Sequence, residues 1–142
     1  MNVEPYLFFN GRCDEAIEFY RRTVGAQATY LMRYRESPEP PTPDMLPPGF
    51  EDKVMHANLK FGDMTVMVSD GNRDGGPQFQ GFSLALSFPD EAAARTAFAG
   101  LSEGGQVAMP LSKTFWSPCF GMLTDRFGLG WMVMVYLEPE TP

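Results

Sequence analysis

The stretch from Pro5 to Gln27, "PYLFFNGRCDEAIEFYRRTVGAQ", decides the fold, because it sets a strand, a tight turn and an amphipathic helix in immediate succession. "PYLFF" has the aromatic and aliphatic density of a strand, and Asn10-Gly11 interrupts it. Cys13, Ala16, Ile17, Tyr20 and Val24 then recur along one face of a 3.6-residue period, which predicts a helix. Asp14 and Glu15 fall in its first turn and Arg21 and Arg22 in its last, the order that the helix dipole favours, and Gly25 closes it.

Downstream, "AQATYLMRYR" reads as a strand. From Glu36 to Asp52, "ESPEPPTPDMLPPGFED" is too rich in proline to sustain helix or central strand, so residues 36–52 are a long loop: a surface excursion, a lid or a subunit contact. "KVMHANLKFGDMTVMVSD" gives two strands around Gly62-Asp63, with Met55, Ala57, Leu59 and Phe61 on one face and His56, Asn58 and Lys60 on the other. After a Gly-rich connector the order begins again. "FSLALSF" places Phe82, Leu84, Leu86 and Phe88 opposite Ser83, Ala85 and Ser87; a helix follows with Ala94, Ala97, Phe98 and Leu101 as its stripe. "QVAMPL" is a short strand, and "CFGMLTD" and "WMVMVYL" form a hairpin around Arg126-Phe127-Gly128.

The chain therefore reads strand, helix, three strands, twice over, with a period of roughly 75 residues. The expected fold is α+β: a single domain of two βαβββ modules, residues 1–72 and 78–138, joined in one curved mixed sheet with helices outside and a central cleft.

Composition narrows the function. A formal charge of −7 over 142 residues disfavours a nucleic-acid partner, which needs clustered Lys and Arg to displace counterions. The longest apolar run, near "LGWMVMVYL", is too short to cross a bilayer, and "MNVEPYLFF" lacks the basic flank of an export signal. A cytoplasmic protein is expected, with no membrane partner. Cys13 and Cys119 match no zinc spacing and read as reduced thiols.

On "PYLFFNGRCDEAIEFYRRTVG", "HANLKFGDMTVMVSD" and "WSPCFGMLTDRFGLGWMV", the chain resembles the vicinal-oxygen-chelate superfamily of glyoxalases, bleomycin-resistance proteins and dioxygenases. More closely it resembles the PhnB-like, 3-demethylubiquinone methyltransferase-like branch. The resemblance implies paired βαβββ modules, a homodimer and a cavity in the cup of each sheet. In metal-dependent relatives, inward His, Gln or Glu side chains hold a divalent ion. Those slots fall near Tyr6, Met67, Ser83 and Met132, with Met134 as the alternative in the last, and none is a good ligand for a hard or borderline cation. His56, the one histidine, lies on a strand that supplies no ligand in the family. No metal and no cofactor are expected; thioethers at Met67, Met132 and Met134 read as core or pocket wall rather than a copper site. The name methyltransferase finds no support, since "GLG" at 128–130 leads into a strand and not the helix of a doubly wound nucleotide site.

Alternation independently marks a cup-facing set: Tyr6, Phe8, His56, Asn58, Thr65, Met67, Ser69, Ser83, Ala85, Met132 and Met134. Large aromatic and thioether area with a few hydroxyl and amide groups suits a small, partly aromatic ligand. Phe115 and Trp116 could form a stacking rim, pack beneath the Pro-rich loop or lie at a dimer contact. Two functions are compatible with this lining: a metal-free small-molecule-binding protein, or an enzyme using Tyr6, His56 or Ser83 as acid, base or orienting group. For the second, no carboxylate that would orient His56 can be identified.

Overall fold

The computed structural model describes residues 1–39, 41–42 and 44–136. The elements are β1 (Tyr6–Phe8), α1 (Cys13–Val24), β2 (Gln27–Arg33), β3 (Val54–Phe61), β4 (Met64–Ser69), β5 (Leu84–Phe88), α2 (Glu91–Ser102), β6 (Gln106–Ser112), β7 (Phe120–Thr124) and β8 (Gly130–Val135). They fall into two compact units, Met1–Pro77 and Gln78–Pro142. Each unit is a four-stranded mixed sheet with one helix, ordered β1-β4-β3-β2 in the first and β5-β8-β7-β6 in the second. The first and last strands of each unit pair in parallel and the remaining pairs are antiparallel. This is the α+β, βαβββ class expected from the sequence.

In the first unit Leu7, Ala57, Leu59, Val66 and Val68 form the buried side of the sheet, with Cys13, Ala16, Phe19 and Tyr20 of α1 also buried. The helix stripe thus runs through Phe19, where the periodicity had pointed to Ile17 and Val24, both only half-buried. At the end of α1, Gly25 adopts φ 71°, and the N–H groups of Gly25 and Ala26 return to the carbonyls of Arg21 and Tyr20. That left-handed cap costs a glycine little.

The start of α1 has no cap of its own: Arg12 makes no side-chain capping bond. Instead the fully buried Asp70, just past β4, accepts from the backbone N–H of Gly11 and of Cys13 at 2.8 Å and of Val54 at 2.9 Å. One carboxylate thereby joins the turn after β1, the first helical residue and the start of β3. In the second unit the helix caps itself locally, Asp90 accepting from Ala93 N–H at 2.8 Å. There the buried carboxylate is Asp125, which accepts from Phe127 N–H, Leu129 N–H and the Trp131 indole Nε1–H and so fixes the β7–β8 turn.

The two ends of the Pro-rich segment are held in place; its residues 40 and 43 lie outside the described residues. Short 3₁₀ turns at Tyr34–Glu36 and Phe50–Asp52 flank it, Phe50 is buried, and Tyr34 N–H donates to Lys53 O at 3.1 Å. Arg33 Nη1 reaches both Asp52 O and Asp14, each at 2.8 Å, and Arg35 pairs with Asp52. Both cysteines are buried free thiols. Burial, followed by the neighbouring carboxylates Asp70 and Asp14, raises the Cys13 pKa so that the thiol stays neutral.

Candidate functional site

Register places chemistry on the sheet face away from α1. Tyr6 of β1 pairs with Met67 of β4, Met67 with Asn58 of β3, and Asn58 with Tyr30 of β2, so these side chains form one row across the sheet. Phe8 pairs with Ser69 and His56 with Met32, which extends the same face beside that row. A register shift between Met32 and Arg33, opposite Met55, lets both Val54 and Ala57 turn to the core without losing the alternation of His56 and Asn58. Of the large residues here, Tyr6, Phe8 and Tyr30 remain 39%, 49% and 47% exposed.

The polar atoms on this face form a chain. Tyr6 Oη lies 2.9 Å from His56 Nδ1, and His56 Nε2 lies 2.9 Å from Asn58 Oδ1. Phe8 stacks on Tyr6 with centroids 5.0 Å apart, and the His56 ring sits tilted between Tyr6 at 5.5 Å and Tyr30 at 6.1 Å. Partial burial raises the Tyr6 pKa, outweighing the lowering from a hydrogen bond with Ser69. The phenol therefore stays protonated and can serve as a hydrogen-bond donor or an acid, but not as a phenolate. Ser69 Oγ also accepts Gly71 N–H at 2.9 Å, and Tyr34 Oη donates to Gly71 O, so the end of β4 is held on both sides.

The residue that orients His56 is thus an amide two positions along its own strand, where the sequence reading looked for a carboxylate. Residues i and i+2 of a strand share a face, and that spacing is the signal that marked Asn58. Tyr6, Phe8, His56, Asn58 and Met67 gather on the first unit's open face, and Ser69 continues their side of β4 but is buried. Ser83, Met132, Met134 and Trp116 belong to the second unit. Ser83 lies just ahead of β5, beside Gly130, where an added Cβ would meet its Oγ at 2.8 Å. The register partner of Met132 is Ala85, and Ser87 faces Met134. Trp116 is half exposed and packs edge-to-face with Phe115 at 4.7 Å and Phe120 at 5.4 Å, while Phe115 is 96% exposed.

Phenol, thioether and hydroxyl at Tyr6, Met67, Ser83 and Met132 do not make a donor set for the divalent ion of metal-dependent glyoxalase-type proteins, which takes imidazole and carboxylate. Among the described residues no three His, Cys, Asp or Glu side chains converge on a common point. The chemistry this face offers is aromatic stacking plus one hydroxyl–imidazole–amide chain.

A family model described as 3-demethylubiquinone-9 3-methyltransferase matches residues 1–134. Protein YjdN of Escherichia coli strain K12 is 32% identical over 146 residues, which covers 99% of each chain. The crystal structure of protein PA1353 from Pseudomonas aeruginosa shares 38% identity at a TM-score of 0.81, covering 97% of this chain and 99% of that one. A PhnB protein of Bacillus cereus, described as a putative 3-demethylubiquinone-9 3-methyltransferase, shares 26% at a TM-score of 0.78, covering 95% and 99%. At fold level alone, a glyoxalase/bleomycin resistance protein/dioxygenase superfamily member from Sphaerobacter thermophilus superposes at a TM-score of 0.56 with 14% identity, covering 95% and 98%.

Proposed function

Since the chain belongs to the family of that model, the PhnB- and YjdN-like proteins with the glyoxalase/bleomycin-resistance fold, we propose that it is a metal-free binding protein for a small, partly aromatic molecule. The methyltransferase in the family's description is nominal here. Each sheet has a single parallel pair, and Gly128 to Gly130 leads into β8, so the Gly-rich turn and helix of a doubly wound cofactor site are absent among the described residues.

The observation that carries the proposal is the exposed Tyr6–Phe8–Tyr30 surface with His56 and Asn58 held among the rings. Aromatic area left open to water costs solubility and gains nothing for folding, whereas rings around a few aimed polar groups are what small-molecule sites present. Tyr6, Phe8, His56, Asn58, Met67 and Ser69 are the binding residues of the first unit; Ser83, Met132, Met134 and Trp116 are those of the second. The resemblance further supports a homodimer, and the net negative charge supports the absence of a nucleic-acid partner. A cytoplasmic location completes the proposal, motivated by the buried free thiols.

A thermal-shift screen with small aromatic compounds tests it. A ligand at 100 times its dissociation constant should add about 2.7 kcal/mol of stability, and its contact should shift the NMR signals of Tyr6 and His56. Stabilisation by no compound in such a screen counts against binding.

The contact between Tyr6 and His56 also favours a second reading, an enzyme in which Tyr6 is the acid and His56 the base that relays its proton. His56→Gln then abolishes turnover of any substrate found, and unchanged turnover excludes it. Ser83, also considered for this role, makes no side-chain hydrogen bond among the described residues and is the weakest of the candidates.

A further inference from the structure

The polarity of the Tyr6 hydroxyl is decided two hydrogen bonds away. Asn58 Oδ1, 2.9 Å from His56 Nε2, can only accept, so the imidazole hydrogen sits on Nε2. A neutral imidazole carries one ring hydrogen, which leaves Nδ1 as an acceptor. Tyr6 Oη, 2.9 Å from Nδ1, then donates its single hydrogen to it. With its hydrogen on His56, Tyr6 Oη offers a ligand only lone pairs, one of them shared with the Ser69 hydroxyl, beside the stacked ring of Phe8.

Resting on the reading of this face as a binding site, we propose that Asn58 determines ligand selectivity. Through His56 it makes Tyr6 an acceptor, so the face takes aromatic molecules that carry a hydrogen-bond donor, phenols and anilines, in preference to their O- and N-methylated counterparts. Asn58 is a positioning residue, since it acts on the ligand only through His56 and Tyr6.

Acid reverses the selection. A protonated imidazole donates from both nitrogens, so Nδ1–H turns to Tyr6 Oη and the phenol hydrogen is released toward the ligand. The titratable groups that share this face or adjoin it are Tyr6 from β1, Tyr30 from β2, Lys60 on β3 itself, and Tyr34 beside the end of β4. Among the described residues the hydrogen-bond and ring partners of His56 are Tyr6, Tyr30 and Asn58.

The test combines nitrogen-15 NMR of the His56 tautomer in the ligand-free protein with titrations of phenol and anisole at about pH 8, above the ordinary range of imidazole titration. The expected results are a hydrogen on Nε2 and phenol bound about tenfold more tightly than anisole, the worth of one net hydrogen bond. Asn58→Leu should bring that ratio to about one, while Asn58→Asp, which keeps the acceptor, should keep the hydrogen on Nε2. A hydrogen on Nδ1, or a phenol preference that survives Asn58→Leu, overturns the inference. Equal binding of phenol and anisole overturns the selectivity and leaves the binding function standing; binding of neither, whatever the tautomer, overturns both.

Discussion

Position for position, the two sheets carry matching rows with different contents. The row Tyr6–Met67–Asn58–Tyr30 crosses the first sheet, and its counterpart by strand order in the second is Ala85–Met132–Met122–Met109. The helix-side faces stay alike, Leu7, Val66, Val68 and Leu59 in one and Trp131, Val133 and Leu123 in the other, because both must bury a helix. No such demand acts on the open faces. The first has taken up aromatic rings and a hydrogen-bonded chain, the second thioethers, which fit irregular shapes without directing them. The scaffold is duplicated, and the directional chemistry sits in one copy.

The units also differ in how they satisfy a helix N-terminus, by the distant Asp70 in one and the adjacent Asp90 in the other. Removing these groups should separate the two solutions. Asp70→Ala strands buried backbone donors from three segments and is expected to cost about 4 kcal/mol in denaturant unfolding, enough to threaten folding of the first unit. Asp125→Ala should cost about 3 kcal/mol, since it unpairs the turn and the Trp131 indole but leaves α2 capped. Asp90→Ala should cost only about 1 kcal/mol, the ordinary value of a local cap. If Asp90→Ala proved as damaging as Asp70→Ala, the contrast between distant and local capping would collapse.

Tyr6→Phe should change stability by less than about 1 kcal/mol, because a half-exposed hydroxyl can be replaced by water at His56. The same substitution should erase the preference for donor-bearing ligands. The smallest effect is one of pH. Burial raises the pKa of both Tyr6 and Tyr34 above the ordinary tyrosine value of about 10, so the folded state favours their protonated forms. Stability from this source is complete below about pH 10 and is lost as pH rises through the folded-state values. Tyrosinate absorbance followed through the alkaline range should show one late-ionising group fewer in the Tyr6→Phe variant.

Much of this architecture is legible in the residues. The 3.6-residue period through Cys13, Ala16 and Tyr20, the turn at Gly62-Asp63 and the repeat of element order all report local forces, which a single sequence records directly. The Tyr6, His56 and Asn58 alternation was equally readable, because period two fixes a face whatever the partner strand. What stayed hidden depends on register. The three backbone partners of Asp70 lie 59, 57 and 16 residues away along the chain, where no local pattern links them. Ser83 fell in a family ligand slot, yet hydrogen bonding sets Ala85 beside Met132. That Asn58 would orient His56 required knowing that the ring turns along its own strand instead of toward a carboxylate elsewhere.

The base of the Pro-rich loop is closed by the Tyr34–Lys53 backbone bond, by Arg33 on Asp52 and by the buried ring of Phe50. A segment cinched at its root can vary beyond it without disturbing the sheet, since lengthening a closed loop adds little entropy cost. The stretch between Ser37 and Gly49 is accordingly a natural graft point: a peptide epitope or fluorescent reporter spliced there would be carried by the protein as a pendant, leaving the strands on either side in register.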